Sequence, residues 1–492
     1  MSQKVLLTHS YFLRFDPKQW EINQPYPPLA TLYAASILKQ NGFEVTFYDG
    51  MFAEGPEAIN SLLQEGGFDY FVIYDDGFNY LTKMCLTNMR EAAFEMCTMA
   101  KTAGCKVLVS SSDATDHYDE YLHQDADFVL IGEPDQTLPH LLKVIESGDT
   151  AQLELVNGIS YLKDGNAIKT LPRKVMVHLD EVPFPDWHLL DIEPYQQAWK
   201  KSKGYLSLNM STTRGCPFKC NWCAKPIYGN RYNSRSPENV VEELLLMKQL
   251  FNFEHIWFCD DIFGLKPAWV KSFAVLIKQS GLKFRFKIQS RADLLLDEEE
   301  IQALAEAGCE NVWMGAESGS QKILDAMDKG ITLAQIETAT HLLRKYNIKP
   351  SFFIQFGYPE ETKEDITQTV SMINRLLPHE IGISVSYPLP GTVFYERVKQ
   401  QLKAKANWTD SDEMAMMFRN TYPPSFYKQL HRYVHQNYHT HLAINSIRRL
   451  LARPAKANWN TIKKAGSVLY YAPLTLLEKV KLKQTEVWND HT

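Results

Sequence analysis

The chain has 492 residues, 45% of them hydrophobic, with 52 Lys and Arg against 58 Asp and Glu for a net charge of −6. That length suits about two to four domains around a large buried core, and the small negative charge gives no electrostatic reason to expect a nucleic-acid protein. Eight cysteines without paired framework spacing point to a reducing, cytoplasmic setting; the opening residues hold no secretory h-region, and no run of about 18 uncharged apolar residues offers a membrane span.

In chain order, Val5-Leu6-Leu7 is a short apolar strand. Pro25-Tyr-Pro-Pro28-Leu29 leads into a helix that ends at Asn41-Gly42, where glycine suits a helix cap. Further strands are expected at Phe43 to Tyr48, Phe68 to Tyr74, Lys106 to Ser110 and Phe128 to Ile131. Strands alternating with helices at this rhythm predict a doubly wound parallel, Rossmann-like sheet over residues 1–150. Ligands of such sheets sit outside the carboxyl ends of the strands. Those ends carry Ser10, Tyr74-Asp75-Asp76, Ser110-Ser111-Ser112 and Gly132-Glu133, which include small residues that let a large ligand approach the backbone.

Residues 151–200 read as a connector, with a hairpin around Asp164-Gly165 and an irregular Pro183-Phe-Pro185-Asp-Trp187 lead-in. Over 201–396, strands are expected at Leu206–Ser211, His255–Cys259, Arg285–Gln289, Asn311–Gly315, Ser351–Phe356 and Gly382–Tyr387. Six strand–helix units predict a partial (β/α)6 barrel of the TIM type, with its chemistry at the carboxyl ends of the strands. The fold class is therefore α/β: sheet, partial barrel, then a helical region over 397–492. Candidate barrel-end residues are Asp260 and Asp261, Gln289 and Arg291, Glu317 and Ser318, Gln355, and Tyr387. Glu317 can accept hydrogen bonds from an amine or a hydroxyl, and the planar fork of Arg291 suits a carboxylate. Each also has an ordinary reading: Asp260 can cap a helix, and Arg291 can pair with Asp293 or Glu317. No acid–base pair stands apart.

After the first barrel strand comes Thr-Thr-Arg-Gly-Cys216-Pro-Phe-Lys-Cys220-Asn-Trp-Cys223. Three thiols on one short loop are one fewer than a closed tetrahedral or cubane site needs, so a coordination position is left open. Zinc sites add a second cysteine pair or histidines, and ferredoxins a further ordered cysteine; the other cysteines here (Cys85, Cys97, Cys105, Cys259, Cys309) are scattered.

This segment resembles the signature of the radical S-adenosylmethionine enzymes. The resemblance implies a [4Fe-4S] cluster on Cys216, Cys220 and Cys223, with S-adenosylmethionine on the fourth iron and an adenosyl radical made by reductive cleavage. It implies S-adenosylmethionine contacts at Trp222, Arg235, Asp261, Gln289, Arg291, Glu317, Ser318, Gln355 and Tyr387, most firmly at Glu317 and Ser318. Residues 1–150 resemble the cobalamin-binding domain fused ahead of many such enzymes, on Pro27-Pro28-Leu29 through Leu38, the strand ending in Asp49, and Gly132-Glu133-Pro134-Asp135-Gln136-Thr137. That implies cobalamin contacts at Ser10, Pro28, Leu29, Tyr74, Asp75, Ser110, Ser111, Gly132 and Glu133. The Asp-x-His-x-x-Gly motif that gives cobalt a lower histidine is absent; Asp113 and His117 do not form it.

The group most resembled includes the anaerobic magnesium-protoporphyrin monomethyl ester cyclases. The expected reaction is methylation or ring formation on a small hydrophobic substrate, with a reductant such as flavodoxin or ferredoxin. A methylthiotransferase acting on RNA and a non-catalytic zinc scaffold are the alternatives. In the terminal region ten Lys and Arg face one acidic residue between His431 and Lys483, and the uncharged run Ala465 to Leu477 spans 13 residues. Such a tail is either a helical cap with a solvated basic face or a means of peripheral membrane contact. Its histidines form no complete metal site.

Overall fold

The computed structural model describes residues 3–78, 86–402, 407–411, 413, 415–456 and 458–486. Five parallel strands, β1 (Lys4–Thr8), β2 (Glu44–Phe47), β3 (Tyr70–Tyr74), β4 (Lys106–Ser110) and β5 (Phe128–Leu130), lie in the order β2-β1-β3-β4-β5. Leu6, Phe71, Ile73, Val107, Val109 and Val129 point into one apolar layer. Val5, Leu7, Tyr70, Val72, Leu108 and Leu130 point into the other. Side chains alternate along a strand, so both faces must be apolar when helices cover both. Ala92, Ala93, Met96 and Cys97 of the helix Thr87–Thr102 cover the first face. The helices Leu29–Gln40 and Thr137–Ser147 cover the second. The doubly wound arrangement expected from the sequence is present.

Beyond β5 the sheet continues. The hairpin β6 (Ile159–Lys163) and β7 (Asn166–Lys169) adds antiparallel to β5, turning at Asp164 and Gly165, both with positive φ. The hairpin placed with the connector thus completes a seven-stranded sheet that runs to Lys169.

The second sheet is all parallel, in the order β15-β14-β13-β12-β11-β8. Its strands are β8 (Ser207–Met210), β11 (His255–Phe258), β12 (Arg285–Ser290), β13 (Cys309–Glu317), β14 (Lys349–Phe356) and β15 (Ile381–Val385). Between β8 and β11, a small clasp pairs β9 (Thr213–Arg214) with β10 (Asn233–Ser234). The covering helices start where the chain supplies caps. Ser236 caps Pro237–Phe251, whose proline stands in the first turn, while Thr332 and Thr362 form capping boxes with Gln335 and Asp365. Six parallel strands form the expected partial barrel.

The long helix Pro424–Ala452 packs on Lys363–Leu376 and on Val468–Gln484. Tyr438 anchors it by donating to the carbonyls of Pro378 and His379, each at 2.8 Å. Among the described residues no helix is long and apolar enough to cross a membrane.

Candidate active site

The cysteine loop is held at both ends. Where β8 stops, the buried Asp260 carboxylate at the end of β11 accepts from the Thr212 amide at 2.7 Å, the Thr212 hydroxyl at 2.5 Å and the Thr213 amide at 2.9 Å. Asp260 is therefore a brace for the loop and not a helix cap. The clasp β9–β10 then closes residues 215–232 into one excursion. Gly215 has φ 79, and a Cβ there would lie 2.5 Å from the Arg231 carbonyl, so only glycine lets the two ends pass. Inside the loop Lys225 donates to the Phe218 carbonyl at 2.6 Å and to Asn230 at 2.7 Å.

Asn221 fastens the loop to the barrel. It donates to the Ala326 carbonyl and to Asp328, both at 2.8 Å, and accepts from the Tyr358 hydroxyl at 2.8 Å. Its backbone carbonyl takes the amide of Phe394 at 2.9 Å.

Cys216, Cys220 and Cys223 are free thiols and close enough to act on one another electrostatically. Burial pushes the Cys216 thiol up and that of Cys223 up to about 12. Among the described residues no three His, Cys, Asp or Glu side chains converge on one metal-sized point. A cubane asks for a wider triangle than a single zinc ion does, since each cysteine binds a different iron. Two buried cations stand near Cys220. Arg291 lies 3.7 Å from the Cys220 sulfur, its guanidinium 3.7 Å over the Phe218 ring. Lys329 sits 5.9 Å from the Trp222 ring centroid; burial works against its charge, but Glu317 and Cys220 hold its pKa above the ordinary value. Cations beside buried sulfur favour thiolate, which is the form iron takes. Three thiols on a braced loop with cations alongside fit a [4Fe-4S] cluster.

The loop stands at the carboxyl end of the half-barrel, which encloses a cavity of about 680 Å³, a volume suited to a small-molecule site. Trp222, Gln289, Gln355 and Tyr387 line it. Two of these carry buried polar atoms without partners, the Trp222 indole Nε1 and the Gln355 Oε1. Tyr387 donates to Asn407 and its ring lies 4.4 Å from that of Trp408.

Other candidates lie behind this lining. Glu317 has φ 53 beside a register shift in β13 and accepts from Lys329 at 2.8 Å. Ser318 bonds Thr369 at 3.0 Å, toward the helix Lys363–Leu376. Arg291 pairs with Asp293 at 3.0 Å, the ordinary alternative foreseen for it, and donates to the Lys329 carbonyl at 2.7 Å. Asp261 lies close enough to Cys216 and Cys223 to raise both thiols. Arg235 stands apart: it binds Glu243 at 2.5 Å, Asn239 at 2.6 Å and Tyr33 at 3.2 Å. Its guanidinium knits the barrel to the first sheet. Asn221, Lys329 and Arg214 were not singled out in the sequence. Arg214 had the one available signal, its place two residues before Cys216.

At the strand ends of the first sheet, Ser10 donates to Asp75 from its amide at 2.7 Å and its hydroxyl at 2.8 Å. The Asp75 amide bonds the Ser110 carbonyl at 2.9 Å, and Ser111 caps a short helix through Ala114. Tyr74 donates to Asp135 at 3.3 Å, and Glu133 pairs with Arg214. Pro28 leads into Leu29, which is fully buried. Gly132 has φ 73, and the Ile227 carbonyl lies 3.7 Å from where its Cβ would stand. Tyr228 stacks on Phe78 at 5.6 Å. Ile227 and Tyr228 of the cysteine loop thus lie over this face.

The profile described as Radical SAM superfamily matches residues 210–373, the span from the end of β8 into the helix Lys363–Leu376. Over these residues, a third of the chain, the protein is similar to the Radical SAM superfamily. It is 30% identical over 284 residues to an uncharacterized methyltransferase of Pyrococcus horikoshii, covering 57% of this chain and 60% of the relative. It is 26% identical over 285 residues to the anaerobic magnesium-protoporphyrin IX monomethyl ester cyclase of Rubrivivax gelatinosus, covering 56% and 50%. The chain therefore spans about half to three fifths of the length of these relatives. In fold it resembles the cobalamin-dependent S-adenosylmethionine radical enzyme OxsB, solved with aqua-cobalamin bound: TM-score 0.75 at 17% identity, over 97% of this chain and 72% of that one.

Proposed function

We propose that this protein is a radical enzyme that modifies a small, largely hydrophobic substrate by methylation or ring formation. With a [4Fe-4S] cluster, S-adenosylmethionine and cobalamin bound, the chemistry supplied is reductive cleavage of the sulfonium and, where methylation is the outcome, methyl delivery to carbon. The carrying observation is geometric: three free thiols on a braced loop, at the carboxyl end of a half-barrel, above an aromatic cavity of about 680 Å³.

The chain's residues would divide the work by position. Cys216, Cys220 and Cys223 would hold iron, with Arg291 and Lys329 balancing the charge. Trp222 and Gln355, each with an unpartnered polar atom, would meet a bound nucleotide or amino acid. Gln289 and Tyr387 would complete that surface, with Glu317, Ser318 and Asp261 supporting it from behind. Arg235 would act at a distance, by fixing the sheet against the barrel. Cobalamin would lie across Ser10, Tyr74, Asp75, Ser110, Ser111 and Gly132, next to the Ile227 carbonyl of the cysteine loop. His9 is held by Asp49 at 2.9 Å, and His117 lies near Asp113 and Glu120, so the reading includes no protein imidazole on cobalt.

A reductant of the flavodoxin or ferredoxin type, cytoplasmic work and no nucleic-acid partner belong to the same reading. Peripheral membrane contact would use Trp459, Leu469 and Tyr470, exposed at 76%, 82% and 65%, among the terminal lysines. An RNA methylthiotransferase would carry a second cluster on the leading domain. Cys97 and Cys105 are sealed in an apolar layer, and Cys85 lies outside the described residues.

Anaerobic reconstitution with iron, sulfide and cobalamin tests the proposal. The expected result is a full cluster lost in Cys216→Ala, 5′-deoxyadenosine release, and a cobalt(II) resonance without nitrogen splitting from a protein histidine. Zinc without iron after anaerobic purification would instead establish the scaffold.

A further inference from the structure

Strand β12 sends alternate side chains two ways. Phe286 and Ile288 are buried against the helices, while Arg285, Lys287 and Gln289 line the barrel cavity. Lys287 is the unusual member. Its ammonium stands 5.3 Å from the Tyr26 ring centroid and 5.1 Å from that of Trp257. Among the described residues it has no carboxylate within salt-bridge distance. Glu310, the nearby candidate, is occupied by Arg285 at 3.3 Å, Lys349 at 3.5 Å and His255 at 3.6 Å. Glu380 lies 3.7 Å from His379. Burial lowers the Lys287 pKa to about 8, against the opposing pull of Glu380 and Glu310, the direction expected where loss of hydration outweighs nearby negative charge.

The surroundings specify what would complete it. Asn311, opposite Lys287 in register, bonds Ser351 at 3.0 Å and leaves its own oxygen unpartnered beside the cavity. A serine hydroxyl both donates and accepts, so this amide can present either its oxygen or its NH₂ group inward. The walls are aromatic: Tyr26 and Trp257 on one side, and Trp313 stacked on Phe353 at 4.7 Å on the other. Lys287 precedes Arg291, the neighbour of Cys220, by four residues. At about 3.3 Å per residue that places it roughly 13 Å deeper along the strand.

We infer that the substrate is a flat or elongated apolar molecule bearing an oxyanion, and that Lys287 anchors this group in the depth of the cavity while the apolar body extends between the aromatic walls toward the cysteine loop. Lys287 is then a specificity determinant, and the cavity measures the distance from the acid group to the reacting atom. The inference rests on the cavity being the substrate site, as proposed above.

Calorimetric titration of the full chain with 2-naphthoate and its neutral twin 2-naphthamide tests the inference. The expected result is at least tenfold tighter binding of the acid. Lys287→Met should bring the acid down to the level of the amide and leave amide binding unchanged, which also shows that the variant is folded; Lys287→Arg should keep the preference. Equal affinity of the two probes for the native protein, binding of neither, or a preference that survives Lys287→Met overturns the inference. Assay of 5′-deoxyadenosine on the same preparations separates the two claims: a naphthoate preference without cleavage supports the anion site and counts against the proposed reaction.

Discussion

Arg214 donates to Asp135 at 2.9 Å and pairs with Glu133 as well, so the residue two positions before the first loop cysteine is bolted to the loop after β5 of the other sheet. Both carboxylates are buried, and the guanidinium lies among the rings of Tyr33, Phe78 and Tyr228 at 5.7, 5.8 and 5.6 Å. Arg235 makes a second joint through Tyr33. The cysteine loop is thereby registered against the strand ends of the first sheet.

Removing one partner of a buried ion pair leaves uncompensated charge and costs about 3–5 kcal/mol. Arg214→Met should lose stability on that scale in urea denaturation, and adding Glu133→Gln and Asp135→Asn should restore part of it. A loss below about 1 kcal/mol would mean the joint is solvated and of little consequence.

Gly215 and Gly229 both have positive φ, but only at Gly215 would a Cβ strike backbone. Comparing Gly215→Ala with Gly229→Ala therefore separates the clash from the dihedral cost of about 1–2 kcal/mol. Iron content after reconstitution should collapse in the first and persist in the second. Equal iron in both would show that the loop can widen at its clasp.

Glu361 accepts from the Gly357 amide at 2.7 Å, and its other oxygen is buried without a partner. Burial raises its pKa to about 8. A carboxyl whose folded pKa lies above its unfolded value binds more protons when folded. Its contribution is present below about pH 4.5 and is lost as pH rises through 8. Glu361→Gln should flatten that slope and be the more stable form at pH 8.5, by up to about 5 kcal/mol. Parallel stability profiles for the two proteins between pH 5.5 and 8.5 would refute the assignment.

Flotation with anionic and neutral vesicles addresses the terminal helices. Trp459–Gly466 and Val468–Gln484 expose Trp459, Ile462, Leu469, Tyr470, Leu476 and Leu477, and each nearby cation is worth about 1 kcal/mol at an anionic surface. Recovery with anionic vesicles alone, abolished by removing residues after 430, is the expected pattern. Equal soluble recovery with both leaves these helices as a cap on the barrel.

Continuous apolar runs such as Tyr70–Tyr74 and the strand–helix rhythm determined both sheets, because a strand buried on two faces can hold little else. The Cys216, Cys220 and Cys223 spacing likewise determined the loop, since thiols that close in the chain must be close in space. The edge-on addition of β6 and β7 to β5 was not legible, because a hairpin satisfies its own hydrogen bonds whichever sheet it joins. The partners of the charged residues were equally hidden. Nothing in the sequence shows that Arg235 meets Glu243 and Tyr33, that Lys329 is buried against Glu317 or that Lys287 faces an aromatic cavity. Periodicity reports which face of an element is dry, a local property. Which charge meets which across 81 residues from Glu133 to Arg214 depends on how two sheets are docked, and only the assembled fold decides that.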